Sequence, residues 1–128
     1  MSDTFQKFSN ASYVSLATFR RSGIKVATPV WCASAGEVLY VFSAGEAGKV
    51  KRLHNSSRAQ LAVCDLRGKV LGEWQNATGI LLDDPAAIDT ALQALRKKYG
   101  LKMYLLDIGA KLGGKYHKRA YISLRLSA

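Results

Sequence analysis

The chain has 128 residues, 48% of them hydrophobic, and 19 Lys and Arg face nine Asp and Glu, a formal net charge of +10. One domain spanning 1–128 with its own core is expected at this length, and the hydrophobic share excludes a disordered chain. No stretch approaches the ~18 apolar residues of a membrane span and the opening "MSDTFQKFSNAS" has no apolar signal core, so a cytoplasmic protein without a membrane partner is expected.

Residues 1–11 read as a lead-in with one helical turn. "SYVSLATF" (12–19) has strand composition, "RRSG" is a turn with Gly23 free to take positive φ, and "IKVATPVWCAS" (24–34) continues as a second strand. Pro29 cannot donate to a ladder, which places that strand at an edge or a bulge. "AGEV" turns the chain into a third strand, "VLYVFS" (38–43). The stretch 48–56 reads as a short helix with Val50, Leu53 and His54 on one face and Lys49, Lys51 and Arg52 elsewhere. "RAQLAVCDL" (58–66) is a fourth strand, and "VLGEWQNATGILLD" (70–83) is a long fifth strand whose Gly72 and Gly79 suggest bulges.

"DDPAAIDTALQALRKKYG" is the strongest helix signal in the chain. Asp84 is placed to cap it, Pro85 fits its first turn and Gly100 its stop. Lys97 and Lys98 fall in its last turn, where the helix dipole favours cations. A second helix follows at once, with Leu101, Tyr104, Leu105, Ile108 and Leu112 on one side, and "RAYISLRLS" (119–127) closes as a sixth strand. Six consecutive, turn-linked strands with one helical insertion before the last describe a mainly antiparallel sheet, mostly β, that removes its edges by closing into a barrel. The absence of strand–helix alternation excludes a parallel dinucleotide-binding sheet.

The charge attracts anions: phosphorylated cofactors, nucleic acid or acidic lipid. The stretch "SAGEAGKVKRLHNSSR" (43–58) concentrates the question, because small residues and glycines precede a basic cluster of Lys49, Lys51, Arg52 and Arg58. A nucleotide phosphate, a flavin phosphate, a nucleic-acid backbone and plain solvent are all open there. It is no P-loop: Ser43 stands where the first glycine belongs and Val50 where the hydroxyl residue belongs. A looser phosphate site survives, with Ser43 offering a hydroxyl at a strand end and Lys49 a charge six residues on.

Cys32 and Cys64 lie in apolar runs without CxxC spacing and read as packed, reduced thiols. His54 and His117 have no acidic or thiolate neighbours at ligand spacing, so no metal is expected. No nucleophile elbow or paired-carboxylate signature occurs, and no catalytic residue is singled out. Reaction chemistry on this chain would have to come from a cofactor.

The order of "YVSLATFRRSGIKVATPVWCA", "EVLYVFSAGEAGKVKRLHNSSRAQLAVCD" and "ATGILLDD" resembles the pyridoxamine 5′-phosphate oxidase-like superfamily, and within it the small branch that uses the deazaflavin coenzyme F-420. The resemblance spans roughly residues 12–83. It implies a split β-barrel of the FMN-binding type that works as a homodimer, with two cofactors in clefts between the subunits. It implies Ser43 and Lys49 on the cofactor phosphate, with Lys51 and Arg52 in support. Thr28, Pro29, Val30 and Trp31 would lie along the flavin ring, and Trp74 of the second copy would complete the cleft. F-420 is the first choice of cofactor and FMN the next, FAD and haem being used by relatives of this size. An Arg-Lys pair common in the oxidase members is here Gly48-Lys49, and no pyridoxal-binding Arg/His pattern is present near the C-terminus, so vitamin B6 oxidation is not implied. The expected function is hydride transfer to a small conjugated substrate. A cofactor carrier on the same fold and a basic nucleic-acid-binding barrel are the rivals.

Overall fold

The computed structural model describes residues 3–127. The elements run α1 (Asp3–Asn10), β1 (Tyr13–Phe19), β2 (Lys25–Val30), β3 (Cys32–Ala35), β4 (Val38–Ala44), α2 (Gly48–Asn55), β5 (Arg58–Cys64), β6 (Gln75–Leu81), α3 (Pro85–Tyr99), α4 (Leu101–Leu112), a 3-10 turn (Tyr116–Lys118) and β7 (Arg119–Leu126). The lead-in is thus an eight-residue helix rather than one turn. Gly23 turns between β1 and β2 at φ 90°, in the left-handed region that favours glycine. No helix among the described residues is long and apolar enough to cross a membrane.

The sheet has seven strands in the order β2-β1-β5-β6-β7-β4-β3, and all its pairings are antiparallel. The expected second strand is two strands, broken at Trp31, and this accounts for seven instead of six. β2 and β3 are the opposite edges of the sheet, yet one residue separates them in sequence. The sheet therefore has to curl until its edges meet, and the barrel is closed by covalent continuity rather than by a ladder. Pro29 sits in the edge strand β2, where its missing N–H leaves the sheet intact.

The barrel interior is filled by Val14, Leu16, Leu39, Val41, Leu61, Ile122 and Leu124, all fully buried. Phe5 and Phe8 of α1 and Leu53 of α2 join that cluster. A second cluster lies outside the wall, where Ala91 and Leu95 of α3 pack with Met103, Ala33 and Tyr121. Each buried Val, Leu, Ile, Phe or Met side chain in these clusters contributes about 1.5–3 kcal/mol through burial. The alternation of β4 serves both layers: Leu39 and Val41 join the interior, while Tyr40 and Phe42 pack under α3.

Three sequence expectations need correcting here. The fifth strand begins at Gln75, not at residue 70. Val70 makes one isolated bridge to Cys64, the ladder is interrupted at 72–74, and β6 resumes in another register from Gln75 opposite Leu61. Gly79 is no bulge, because it is regularly paired with Leu124. A Cβ there would lie 3.1 Å from Leu53 Cδ2 and 3.3 Å from Leu124 Cδ2, so its glycine lets α2 approach the sheet. Asp84 stands at the N-cap of α3 but its side chain makes no cap bond.

In α4 the expected one-sided stripe, Leu101, Tyr104, Leu105, Ile108 and Leu112, is present and lies outward. The inward residues of the helix are Met103 and Asp107, and Asp107 receives Arg96 Nε at 3.1 Å and Arg119 Nη1 at 2.6 Å.

Candidate functional site

β4 ends at the strand–helix junction that the sequence singles out. Ser43 follows the inward parity of Leu39 and Val41 and is buried at the barrel end. Its hydroxyl accepts from Lys49 Nζ at 3.4 Å and donates to Ala44 O at 3.1 Å. Val50 and Leu53 anchor the inner face of α2, which leaves Lys49 and Arg52 at the helix flank; Lys51 and His54 are exposed. Arg52 Nε donates to Thr18 Oγ1 at 2.6 Å, tying α2 to β1. Its guanidinium also occupies the space beside Gly48, where a Cβ would come within 2.7 Å of Nη1. A side chain at position 48 would therefore displace the arginine one turn further on.

The electrostatics are one-sided. Lys49 is held below the ordinary lysine value, first by burial and then by Arg52. Arg52 is lowered by burial and then by Arg20. Both salt bridges among the described residues go to Asp107, so Lys49, Arg52 and Arg20 form a cationic cluster with no carboxylate partner. Clustering like charges without a counter-ion costs free energy that a bound anion would recover. The small residues of the loop supply less than expected, since Gly45 N–H donates to Lys118 O at 2.8 Å and Ala47 N–H to Ala44 O at 3.1 Å.

A cavity of about 290 Å³ opens beside this junction, lined by Ser43, Glu46, Leu106, Lys115, Lys118 and Arg119 among others. The C-terminal basic group "KLGGKYHKR" thus reaches the same place as Ser43, a convergence created by the pairing of Ser43 with Ala120 across β4 and β7. The sequence shows Lys115, Lys118 and Arg119 as part of a basic run but assigns them no role in a site. Their signal was the basic run itself, but only the β4–β7 pairing says where it goes.

The residues expected along the ring are divided. Thr28 and Val30 share the face of β2 that meets the barrel core, while Pro29 is on the exposed face. Thr28 Oγ1 is a buried hydroxyl oxygen without a hydrogen-bond partner. Trp31 stacks on Tyr99 with ring centroids 4.6 Å apart and 11° between planes, and meets Phe42 edge-on, so one face of its indole is already taken. Trp74 lies under Lys25 Nζ, 3.4 Å from the ring centroid.

The break at Trp31 is clamped by residues the sequence explained otherwise. Tyr99 Oη accepts from Cys32 N–H at 2.8 Å and donates to Ser12 O at 2.9 Å. Lys98 Nζ donates to Ala11 O at 2.6 Å and to Cys32 O, so it does more than complement the dipole of α3. Burial pushes the Cys32 thiol up to about 12, and both cysteines are buried and free, as packed thiols. Among the described residues no cluster of three His, Cys, Asp or Glu could hold a metal.

The fit to a phosphorylated flavin-type cofactor is thus positive at the anion end, where Lys49 reaches the Ser43 hydroxyl on the cavity wall, and at Thr28, whose buried hydroxyl has no hydrogen-bond partner. The cavity lies at the small end of the ~300–1,000 Å³ usual for ligand sites.

No family model and no curated protein matches the sequence. Solved structures do match in fold. An F-420 reductase superposes with a TM-score of 0.63 at 17% identity, covering 100% of this chain and 97% of that one. A candidate pyridoxamine 5′-phosphate oxidase from Listeria innocua gives 0.65 at 11% identity over 98% and 91%. HutZ, the heme storage protein from Vibrio cholerae, gives 0.71 at 10% identity over 98% and 89%. The chain has the split-barrel fold of the pyridoxamine 5′-phosphate oxidase-like proteins.

Proposed function

We propose that this split barrel binds a phosphorylated flavin-type cofactor, F-420 first and FMN next, and works as an oxidoreductase. The observation that carries the reading is the cationic cluster Lys49, Arg52 and Arg20, unpaired by any carboxylate and joined at Lys49 to Ser43 on the cavity wall. Lys49 and Ser43 hold the phosphate, and Arg52, fixed by Thr18, adds charge behind them. Bound there, the cofactor supplies hydride transfer to a small conjugated substrate. Thr28 offers its hydroxyl to a polar edge of the group, and Val30 shapes the apolar side. A second copy of the chain completes the cleft, which the small volume of the single-chain cavity favours. The excess of basic residues suits F-420 over FMN, because F-420 carries a phosphodiester and a polyglutamate tail.

The test is a parallel fluorescence titration of the protein with F-420, FMN and FAD at moderate salt. Selective binding of F-420 supports the first choice, and selective FMN or FAD binding moves the chemistry to ordinary flavins. No binding by any of the three sinks the reading and turns the search to haem and single-stranded nucleic acid. Lys49→Ala is expected to weaken the bound cofactor about tenfold or more, the ~1.5–3 kcal/mol of a hydrogen bond to a charged group. Bound cofactor that is never reoxidised faster than free cofactor by any acceptor would mark a carrier.

A further inference from the structure

α4 is folded inside out relative to an ordinary amphipathic helix. Its acidic residue is buried and bridges two arginines, while leucines stand in solvent: Leu101 is 70% exposed, Leu105 58% and Leu112 85%, with Tyr104 and Ile108 exposed beside them. The spacing of Leu101, Leu105, Ile108 and Leu112 puts them on one stripe. Exposed lysines flank it: Lys102 and Lys111 on the helix, one to each side, and Lys97 at the end of α3. From residue 90 to the C-terminus the chain holds nine Lys and Arg and a single acidic residue, Asp107, which is buried.

We propose that α4 is an interfacial anchor that lays this leucine stripe into the surface of an anionic lipid bilayer, with the lysine rim on the headgroups. An apolar stripe edged by lysines is the pattern that inserts shallowly into the headgroup–acyl boundary. Such a helix lies on a membrane and needs no spanning segment, so the lack of a spanning helix among the described residues does not oppose it. Charge complementarity selects the occupant. A second copy docked symmetrically on this stripe would add the same lysines to the interface with no exposed carboxylate of this segment to meet them, whereas anionic headgroups neutralise them. The salt bridges to Asp107 hold the helix in this orientation by keeping its polar residue on the protein side.

The experiment is co-flotation of the full chain with vesicles of phosphatidylcholine alone and of equimolar phosphatidylcholine and phosphatidylglycerol, at low and high salt. Flotation is expected with the anionic vesicles, weakened by salt, and not with phosphatidylcholine alone. The variant Leu105→Glu/Leu112→Glu changes two exposed positions, so its thermal midpoint and its cofactor titration should match the parent while its partition falls about a hundredfold. The cofactor titration reads the proposed function separately from this anchor. Failure of the parent to float with either vesicle overturns the proposal, as does flotation of the variant equal to the parent. A parent that self-associates in the absence of lipid and is converted to monomer by the variant would assign the stripe to a second copy and likewise overturn it.

Discussion

At Lys49, burial and the adjacent Arg52 both disfavour the ammonium. Its folded pKa lies below the unfolded value, so carrying the charge costs stability fully below the folded pKa, and the cost lifts as pH rises through that value toward the unfolded one. A bound phosphate reverses the preference. Cofactor affinity is therefore expected to fall on the alkaline side at a lower pH than an exposed lysine would titrate. Lys49→Arg should retain affinity across that range, and titrations at a series of pH values read both curves. Equal alkaline decline in parent and variant would exclude Lys49 as the group responsible. Asp107 makes the opposite case, a buried carboxylate fully engaged by Arg96 and Arg119. Asp107→Asn is expected to lower the unfolding free energy by about 3 kcal/mol, because a nearly buried Arg119 loses its counter-charge. Urea unfolding measures it, and a loss below ~1 kcal/mol would mean that the bridge is worth no more than a surface pair.

Among the elements, α2 bears on both stability and the site, and its seat depends on Gly79. Gly79→Ala drives a methyl toward Leu53 and Leu124, and overpacking of this kind costs about 1–3 kcal/mol. Because the obstructing atoms are leucine tips, Leu53→Ala should relieve part of that cost, and the double variant should lose less than the sum of the singles. Additive losses would show that the glycine is required for some other reason. The same element shows how far sequence reasoning reached. Val50 and Leu53 at helical spacing gave the buried face of α2 correctly, and Lys49 six residues from Ser43 gave a pair that the fold does bring together. His54 was assigned to that face and is exposed, since a half-apolar residue in the last turn is decided by what lies opposite, which spacing does not report. The stripe of α4 was legible as a stripe, but periodicity states only that residues share a side. Which side meets the protein was decided by Arg96 and Arg119, eleven residues before and twelve after Asp107, closing on one buried carboxylate.

For the whole molecule, the expected assembly is a homodimer with the cofactor between copies. Sedimentation equilibrium should return twice the chain mass at micromolar concentration, and a monomer that still binds cofactor with full affinity would remove the second copy from the site. The basic excess was plain from composition, but composition did not say that Lys115, Lys118 and Arg119 share a cavity wall with Ser43 while Lys25 and Trp74 pair elsewhere. Residues more than seventy positions apart meet there because β4 pairs with β7.

The sequence by itself determined the succession of strands and helices, the antiparallel class of the sheet, the turn at Gly23, the limits of α3 and the Ser43–Lys49 junction, because each is governed by contacts or dihedral limits within a few residues. The tertiary structure alone decided that the second strand breaks at Trp31 and joins both edges of the sheet. It also decided that Tyr99 and Lys98 clamp that break, and that α4 turns its leucines outward. Each of these follows from side chains far apart in sequence satisfying one another's buried polar groups, a condition that local pattern does not encode.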